Sequence, residues 1–399
     1  MQHCTVSQQG AVEFKMPVSF QKTALVFIGT RPEAIKMAPL VRELKLQPSF
    51  EVILCSSGQH TDMLNQALSD FDLAADIELN AMRGNRSVSN LVATMLADFQ
   101  SVIERVKPDV ILVHGDTATT LAGSLAAYFN QIPLAHVEAG LRTYDKHSPW
   151  PEEINRRVAD LTADLYFAPT SSARQNLLDE GARSSDIIVT GNTVIDALLL
   201  TAERLDNSPD LQMHADAILP RLDPAKKLVL VTSHRRENLG AGLENICDAV
   251  RNISNRDDVE IVFPVHMNPK VRTTVDAKLS ALPNVHLTEP LNYLSFVRVM
   301  SRAYLVISDS GGIQEEAPSL GVPVLVTRDT TERPEAAEAG TVRLVGTNTD
   351  NIVRNAERLL SNPAAHRSMS EIKNPYGDGT ASKIIVKELA RRLTALMPA

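Results

Sequence analysis

The chain has 399 residues, of which 44% are hydrophobic and 22% charged, and its formal net charge is −8. Chains of this length commonly form two or three domains, and this composition is typical of globular proteins rather than disordered or membrane-spanning ones. The negative charge and an aromatic content of only 4% argue against a nucleic-acid partner and leave room for a local basic pocket that binds a phosphorylated small molecule.

Two further features of the sequence concern the compartment. Cys4, Cys55 and Cys247 lie far apart and form no disulfide framework, which favours a reducing cytoplasm. No apolar run approaches the roughly 18 residues that span a bilayer, and residues 1–22 lack the apolar core of a signal peptide. We therefore predict a cytoplasmic protein without a membrane partner, in which residues 1–22 form a polar extension.

Short apolar runs alternate with amphipathic segments along the chain. In the first half the predicted strands cover residues 23–29, 51–56, 109–114, 133–137, 165–168 and 187–190. Most are rich in Val, Ile and Leu without polar alternation, which is typical of strands buried on both faces of a parallel sheet. The predicted helices between them include residues 32–46 and 117–129.

A second series of strands and helices then follows. Its predicted strands cover residues 228–231, 260–265, 285–287, 304–308, 323–326 and 342–345. Two such series predict two doubly wound α/β domains that face a cleft, with the join near residues 192–209 and a final helix at about 382–396. In open α/β sheets ligands bind at the carboxyl ends of the strands, so the residues just after each strand are the candidates for chemistry.

Cations follow the first strand. Gly29 allows a sharp turn into the helix that carries Arg31 and Lys36. The segment fits an anion site at a helix N-terminus and equally a capped helix with two solvated cations. It is neither a Walker A loop nor a G-x-G-x-x-G fingerprint, so it supports neither ATP cradling nor NAD binding.

Carboxylates follow later strands of the first half. Asp116 and Glu138 each come just after a predicted strand, and Glu152 lies with Glu153 in the first turn of a helix that begins at Pro151. Each alone could be a helix cap or a complement to the helix dipole. Three carboxylates at one cleft edge favour a catalytic site in which acid and base roles are divided.

The second half places histidines and cations after its strands. His234 and Arg235 follow the first of these strands, which favours a diphosphate site, and His266 follows the next. Neither histidine has the carboxylate or cysteine neighbours at short spacing that would indicate a metal, so no metal is predicted.

The most specific local feature is a Ser-Gly-Gly turn in the second half. Ser310, Gly311 and Gly312 lie between a strand and a helix, where backbone N–H groups can hold a phosphate. Glu316, one turn into the helix, could accept hydrogen bonds from ribose hydroxyls, and Arg333 after the next strand offers a further cation.

Long segments of the chain occur in the order expected for one family. They include GTRPEAIKMAPL, VHGDTATT, HVEAGLRT, PWPEEINRR, SHRREN, PVHMNP, SDSGGIQEEAPSLG and NPYGDG. Over residues 23–396 the chain resembles the bacterial non-hydrolysing UDP-N-acetylglucosamine 2-epimerases. The resemblance implies a GT-B architecture of two Rossmann-like domains: residues 23–195, completed by a C-terminal helix within 376–399 that packs back on them, and residues 196–375, which bind UDP.

The resemblance also implies site residues. Those that match catalytic positions of the family are Asp116, Glu138, Glu152 and His234. Those that match UDP- and sugar-contacting positions are Arg31, Lys36, Phe296, Ser310, Gly311, Gly312, Glu316 and Arg333. Those that match an activator site found in some members are Gln59, Arg235 and His266.

The implied reaction is reversible inversion at C2 of UDP-N-acetylglucosamine to give UDP-N-acetylmannosamine, in a homodimer that needs no cofactor and supplies bacterial surface polysaccharide. The C2 proton is not α to a carbonyl, so we expect UDP to be eliminated to a 2-acetamidoglucal and then added back. The alternatives are a hydrolysing epimerase, a GT-B glycosyltransferase that uses a UDP-sugar, and a nucleotide-sugar-binding regulator.

Overall fold

The structure is a computed structural model that describes residues 21–58, 61–82 and 87–395. All but the last two residues of the predicted N-terminal extension lie outside this description. No helix in the described part of the chain is both long and apolar enough to span a bilayer.

The described strands form two parallel sheets, one of seven strands and one of six. The order in the first sheet is third, second, first, fourth, fifth, sixth, seventh, and the second sheet follows the same pattern. The strands are β1 (Lys22–Ile28), β2 (Phe50–Ser56), β3 (Ile77–Glu78), β4 (Val110–His114), β5 (Leu134–Val137), β6 (Leu165–Ala168), β7 (Ile187–Val189), β8 (Lys227–Thr232), β9 (Val259–Pro264), β10 (Val285–Thr288), β11 (Leu305–Ser308), β12 (Val324–Val326) and β13 (Val342–Leu344).

Helices connect the strands. They are α1 (Arg31–Lys45), α2 (Thr61–Ser69), α3 (Val88–Val106), α4 (Ala118–Phe129), α5 (Glu152–Thr162), α6 (Ser171–Asp179), α7 (Thr193–Asn207), α8 (Pro209–Asp216), α9 (Ala241–Ile253), α10 (Pro269–Leu279), α11 (Tyr293–Arg302), α12 (Gly311–Glu316), α13 (Pro334–Ala339), α14 (Thr349–Ser361), α15 (Pro363–Ser370) and α16 (Ala381–Ala395).

Both faces of the first sheet are covered by apolar side chains. Along β1, Val26 and Ile28 belong to one buried cluster, whereas Leu25 and Phe27 belong to another on the opposite face. This double burial explains why the strands appear in the sequence as continuous apolar runs. All twelve predicted strands are present, and the doubly wound α/β prediction is confirmed.

The strand order reverses beside the first strand of each sheet, between β1 and β4 and between β8 and β11. Crossover connections leave in opposite directions there, which opens a crevice at the carboxyl ends of the strands. The segments that follow these four strands carry Arg31, Asp116, His234 and the Ser-Gly-Gly turn, and Glu138 and Arg333 follow the adjacent strands β5 and β12.

The turn from β1 into α1 is fixed by a buried carboxylate. Thr30 caps α1, and Glu33 closes the capping box by accepting from the backbone N–H of Thr30 at 2.8 Å. The other oxygen of Glu33 accepts from Thr117 Oγ1, at the start of α4, at 2.7 Å. One side chain therefore holds together the turns that follow β1 and β4.

The helix α7 connects the two halves of the molecule. It contacts α1 and α16 on one side and α11 and α12 on the other. Asp196 on α7 accepts from the backbone N–H groups of Ser382 at 2.7 Å and Ala381 at 3.2 Å, and so caps α16. The predicted domain limit at 195/196 falls inside α7, and the domain limits stay a prediction.

Candidate active site

A cavity of about 330 Å³ lies between the carboxyl edges of the two sheets. Residues from both halves of the chain form its walls. The predicted site residues that line it are Asp116, Glu138, His234, Arg235, Ser310, Gly311, Gly312 and Arg333.

A larger cavity, of about 500 Å³, lies on the outer side of α5 and α6. Its lining includes the apolar Leu161 and Leu177 but none of the predicted site residues. We place the functional site in the smaller cavity, because strand ends and charged side chains of both sheets meet there.

Glu138 lies at the centre of the charged groups in the cavity. It follows β5 in a left-handed backbone conformation, with φ 67°, that is uncommon for a residue with a side chain. Its Oε2 accepts from Lys36 Nζ at 2.5 Å and from Asn192 Nδ2 at 3.1 Å, and His114 Nε2 lies 3.3 Å away. Burial acts to raise the pKa of Glu138, but attraction to Lys36 and then to His114 outweighs burial and lowers the pKa well below its ordinary value.

A second buried ion pair joins this group from the other half of the molecule. Glu315, at 2% exposure, pairs with Arg333 and accepts from Asn192 Nδ2 at 2.7 Å. The amide of Asn192 therefore donates to one carboxylate from each half. Burial alone would lower the pKa of Lys36, but attraction to Glu138 and then Glu315 raises it. Two cations thus lie beside two carboxylates across the cleft.

Asp116 is held by two residues of α5. Its carboxylate pairs with Arg156 of α5, which also lies 3.3 Å from Glu153, and its backbone carbonyl accepts from Asn155 Nδ2 at 2.9 Å. Because 27% of its side chain stays exposed, Asp116 is open to a ligand in the cavity.

A buried network supports this wall of the cavity. His136 Nδ1 lies 2.6 Å from Asp160, and His136 Nε2 lies 2.8 Å from the carbonyl oxygen of Gly115. Asp160 also pairs with Arg142, whose Nη1 is 2.7 Å away and which lines the cavity. The network fixes the turns after β4 and β5, which carry Asp116 and Glu138.

The structure separates the two glutamates at the start of α5. Glu153 is fully buried and accepts from the backbone N–H groups of Thr143 and Tyr144, each at 3.1 Å, so it holds the preceding loop. Glu152 is half-buried and is not among the described residues that line the cavity, whereas Pro149 of the loop before it is.

The second half contributes cations and a histidine. His234 is 43% exposed on its side chain, and Arg235 lies 3.4 Å from Glu332 on the cavity wall. Burial lowers the pKa of His234, with attraction to Asp309 acting against it. His266 is exposed, with its ring centroid 6.3 Å from that of His234, so two of the three proposed activator residues are neighbours of His234. The third, Gln59, lies outside the described residues.

The remaining predicted contacts are Glu316 and Phe296 of the second half and Arg31 of the first. Glu316 ends α12, and burial followed by repulsion from Glu315 raises its pKa to about 8. Burial and then the charge of Glu316 raise the pKa of Tyr293 on α11, and the charge of Arg31 acts against them. Phe296, also on α11, is half-buried against the core. None of these residues is among those that line the described cavity.

Sequence reasoning missed several residues of the site. Asn192, Glu315 and Arg156 hold the charged side chains in place, yet their partners are remote in sequence. Their positions in the sequence could have indicated them, because Asn192 comes shortly after a strand and Arg156 lies one helical turn after Glu152. Among the described residues, no group of three or more His, Cys, Asp or Glu side chains is arranged to hold a metal ion.

Comparison with known proteins shows which family the chain resembles. The sequence model of the UDP-N-acetylglucosamine 2-epimerase family matches residues 42–390. A probable UDP-N-acetylglucosamine 2-epimerase of Ralstonia nicotianae is 52% identical over 92% of this chain and 98% of its own length. The Escherichia coli enzyme of that name is 50% identical over 93% and 99%.

Solved structures extend the match to the fold. The crystal structure of UDP-GlcNAc 2-epimerase from Neisseria meningitidis bound to UDP-GlcNAc is 48% identical, covers 93% of this chain and all of its own, and superposes with a TM-score of 0.84. These findings confirm the resemblance to the UDP-N-acetylglucosamine 2-epimerases. The chain belongs to the UDP-N-acetylglucosamine 2-epimerase family.

Proposed function

We propose that this protein interconverts UDP-N-acetylglucosamine and UDP-N-acetylmannosamine without net hydrolysis, by eliminating UDP and adding it back. The observation that supports this best is the pairing of Glu138 and Lys36 beside Asp116, in a cavity whose other wall carries His234 and Arg333. Carboxylates thus face cations across the space where a sugar diphosphate would lie.

The chemistry explains why both walls are needed. A base takes the C2 proton, the C2–H electron pair forms the C1=C2 double bond, and the C1–O electron pair leaves with UDP. The product pair is a 2-acetamidoglucal and UDP. Protonation of C2 from the opposite face and return of the UDP oxygen to C1 then complete the inversion. Fixed cations stabilise the diphosphate that leaves, and carboxylates stabilise the positive charge that develops at C1.

The structure supports a division of roles among the carboxylates. Glu138 is buried and held ionised by Lys36, which suits a group that stabilises charge at C1 and exchanges the C2 proton. Asp116 is more exposed and suits orientation of the sugar or the second proton transfer. We propose that Glu152 joins them when the loop that contains Pro149 moves inward as the cleft closes and excludes water.

We propose that residues of both halves bind the UDP end of the substrate, most of them from the second half. We assign Ser310, Gly311 and Gly312 to the diphosphate, together with Arg333 and His234. We assign Glu316 to the ribose hydroxyls, with Arg31, Lys36 and Phe296 as further contacts. The supporting observation is that the Ser-Gly-Gly turn, Arg333 and His234 line one cavity.

Two proposals concern the assembly and its control. We propose a homodimer, and exposed apolar side chains on the adjacent helices α4 and α5 support it, among them Phe129 and Leu161 at 64% and 84% exposure. We also propose a second nucleotide-sugar site at Arg235, His266 and Gln59, supported by the closeness of the two histidine rings. Supply of surface polysaccharide stays a prediction from the resemblance.

One experiment tests the central proposal. Incubation with UDP-N-acetylglucosamine alone in D₂O, followed by NMR, should show deuterium at C2 of both UDP-sugars without accumulation of free sugar. Release of N-acetylmannosamine and UDP would instead identify a hydrolysing epimerase. Turnover only with an added acceptor would identify a glycosyltransferase, and binding without turnover a regulator. Epimerisation with full retention of the C2 proton would contradict the elimination route.

A further inference from the structure

The loop that carries His234 is built around a carboxylate of the neighbouring strand. Asp309 follows β11 and is fully buried. Its Oδ2 accepts from Ser233 Oγ at 2.9 Å, from the backbone N–H of Arg235 at 3.1 Å and from Asn238 Nδ2 at 3.0 Å. The backbone N–H of His234 lies 3.1 Å from both of its oxygens.

In each of these contacts the carboxylate of Asp309 is the hydrogen-bond acceptor. A buried carboxylate is costly unless donors surround it, and here the donors come from one short segment, residues 233–238. The segment follows β8, which pairs with β11 at the point where the strand order reverses. Asp309 therefore fixes the path of the backbone that brings His234 to the cavity.

The same carboxylate also reaches the imidazole ring. Nδ1 of His234 lies 3.3 Å from Oδ1 of Asp309. This contact is longer than a normal hydrogen bond, and catalytic hydrogen bonds of this length commonly shorten once substrate is bound. Because the carboxylate only accepts, the contact selects the tautomer that carries its proton on Nδ1 and leaves Nε2 for the ligand.

We propose that Asp309 is the positioning residue for His234, fixing both its backbone and its ring so that Nε2 faces the diphosphate of the substrate. The inference rests on the proposed role of His234 in diphosphate departure. Asp309 itself touches no substrate in this arrangement and acts only through the histidine.

The charges around His234 predict the direction in which loss of Asp309 would shift the pKa of His234. Burial lowers the pKa of His234, Arg235 and His266 lower it too, and Asp309 is the neighbour that raises it. Replacement of Asp309 should therefore lower the pKa of His234 further. Any activity that depends on protonated His234 should then be lost at a lower pH than in the wild type.

The first test needs no substitution at Asp309. In protein labelled with ¹⁵N-histidine, the His234 signals are assigned by their absence from His234→Gln. Above its pKa, the wild-type ring should be the Nδ1–H tautomer. An Nε2–H tautomer, which free imidazole side chains prefer, would overturn the proposal without reference to activity.

The second test compares Asp309→Asn with Ser233→Ala, which removes one donor to Asp309 but leaves the ring contact. In Asp309→Asn we expect kcat to fall at least tenfold, the affinity for UDP to stay within threefold, and the His234 titration to move to lower pH. In Ser233→Ala we expect the His234 titration to stay near that of the wild type, because Asp309 keeps its charge and its contact with the ring. A folded Asp309→Asn whose His234 tautomer and titration match the wild type would overturn the proposal.

His234→Asn tests the role of His234 separately, because retained activity there would contradict that role and leave the tautomer result standing.

Discussion

Replacement of Lys36 by Met should destabilise the protein in a strongly pH-dependent way. Lys36 Nζ lies 2.5 Å from Glu138, and the two side chains are 18% and 8% exposed. Removal of one partner of a buried ion pair commonly costs ~3–5 kcal/mol. Because Asn192 still donates to Glu138, we expect the lower end of this range, about 3 kcal/mol at pH 8.

The sign of the pH dependence follows from the Glu138 carboxylate. In the wild type its pKa is lowered, so the ion pair stabilises the protein above the ordinary value of 4.5, and this stability is lost as the pH falls. In Lys36→Met the attraction to Lys36 is gone, so burial should raise the pKa of Glu138 above 4.5. The ionised carboxylate of Glu138 then destabilises the folded variant at high pH. Lowering the pH should increase its free energy of unfolding by up to about 1.4 kcal/mol per pH unit.

Urea unfolding followed by circular dichroism at pH 5.5 and pH 8 measures both effects. Lys22→Met is the matched control, because Lys22 pairs with Asp109 at 2.8 Å but both side chains are about 30% exposed. We expect that variant to lose less than about 1 kcal/mol at either pH. The reasoning is refuted if Lys36→Met costs no more than Lys22→Met at pH 8, or costs the same at both pH values.

Other substitutions test further parts of the molecule. Glu316→Ala should weaken UDP binding by ~1.5–3 kcal/mol in calorimetry, with little change in the rate at which bound substrate is converted. Since the pKa of Glu316 is raised to about 8 and ribose hydroxyls need its ionised form, wild-type affinity for UDP should rise with pH up to about 8 and become flat in Glu316→Ala. If the second nucleotide-sugar site exists, His266→Ala should flatten a sigmoidal dependence of rate on UDP-N-acetylglucosamine while UDP still binds; hyperbolic wild-type kinetics would exclude that site. Asp196→Ala should cost ~0.5–2 kcal/mol, because α16 loses its cap, and should speed hydrogen exchange at the start of α16; unchanged exchange there would show that the cap is dispensable.

The sequence predicted the sheets well because burial on both faces leaves a clear pattern. Every residue of β4 is buried, and a short continuous apolar run of this kind is typical of a strand inside a parallel sheet. The exception is β3, which has two residues, neither of them buried, and pairs only with the end of β2. An edge strand this short buries too little surface to impose a pattern on the chain.

The candidate site was predictable only where a residue's position relative to its own strand was enough. Asp116, Glu138 and His234 follow strands directly, and the structure brings them to one cavity. Asn192 donates to Glu138, 54 residues away in the same half, and to Glu315, 123 residues away in the other half, and no local pattern encodes such contacts. The difference between Glu152 and its buried neighbour likewise depends on a loop path that spacing does not give.

The return of α16 to the first half has a consequence for synthesis on the ribosome. Ile385, Leu389 and Leu393 of this helix are buried in the same apolar cluster as Leu40 and Leu44 of α1. Part of the apolar face of α1 is therefore covered only once α16, the last helix in the described part of the chain, has been made. Because domains generally fold as units while the chain emerges, the first half leaves the ribosome with an exposed apolar face and reaches its final form only after the second half has been made.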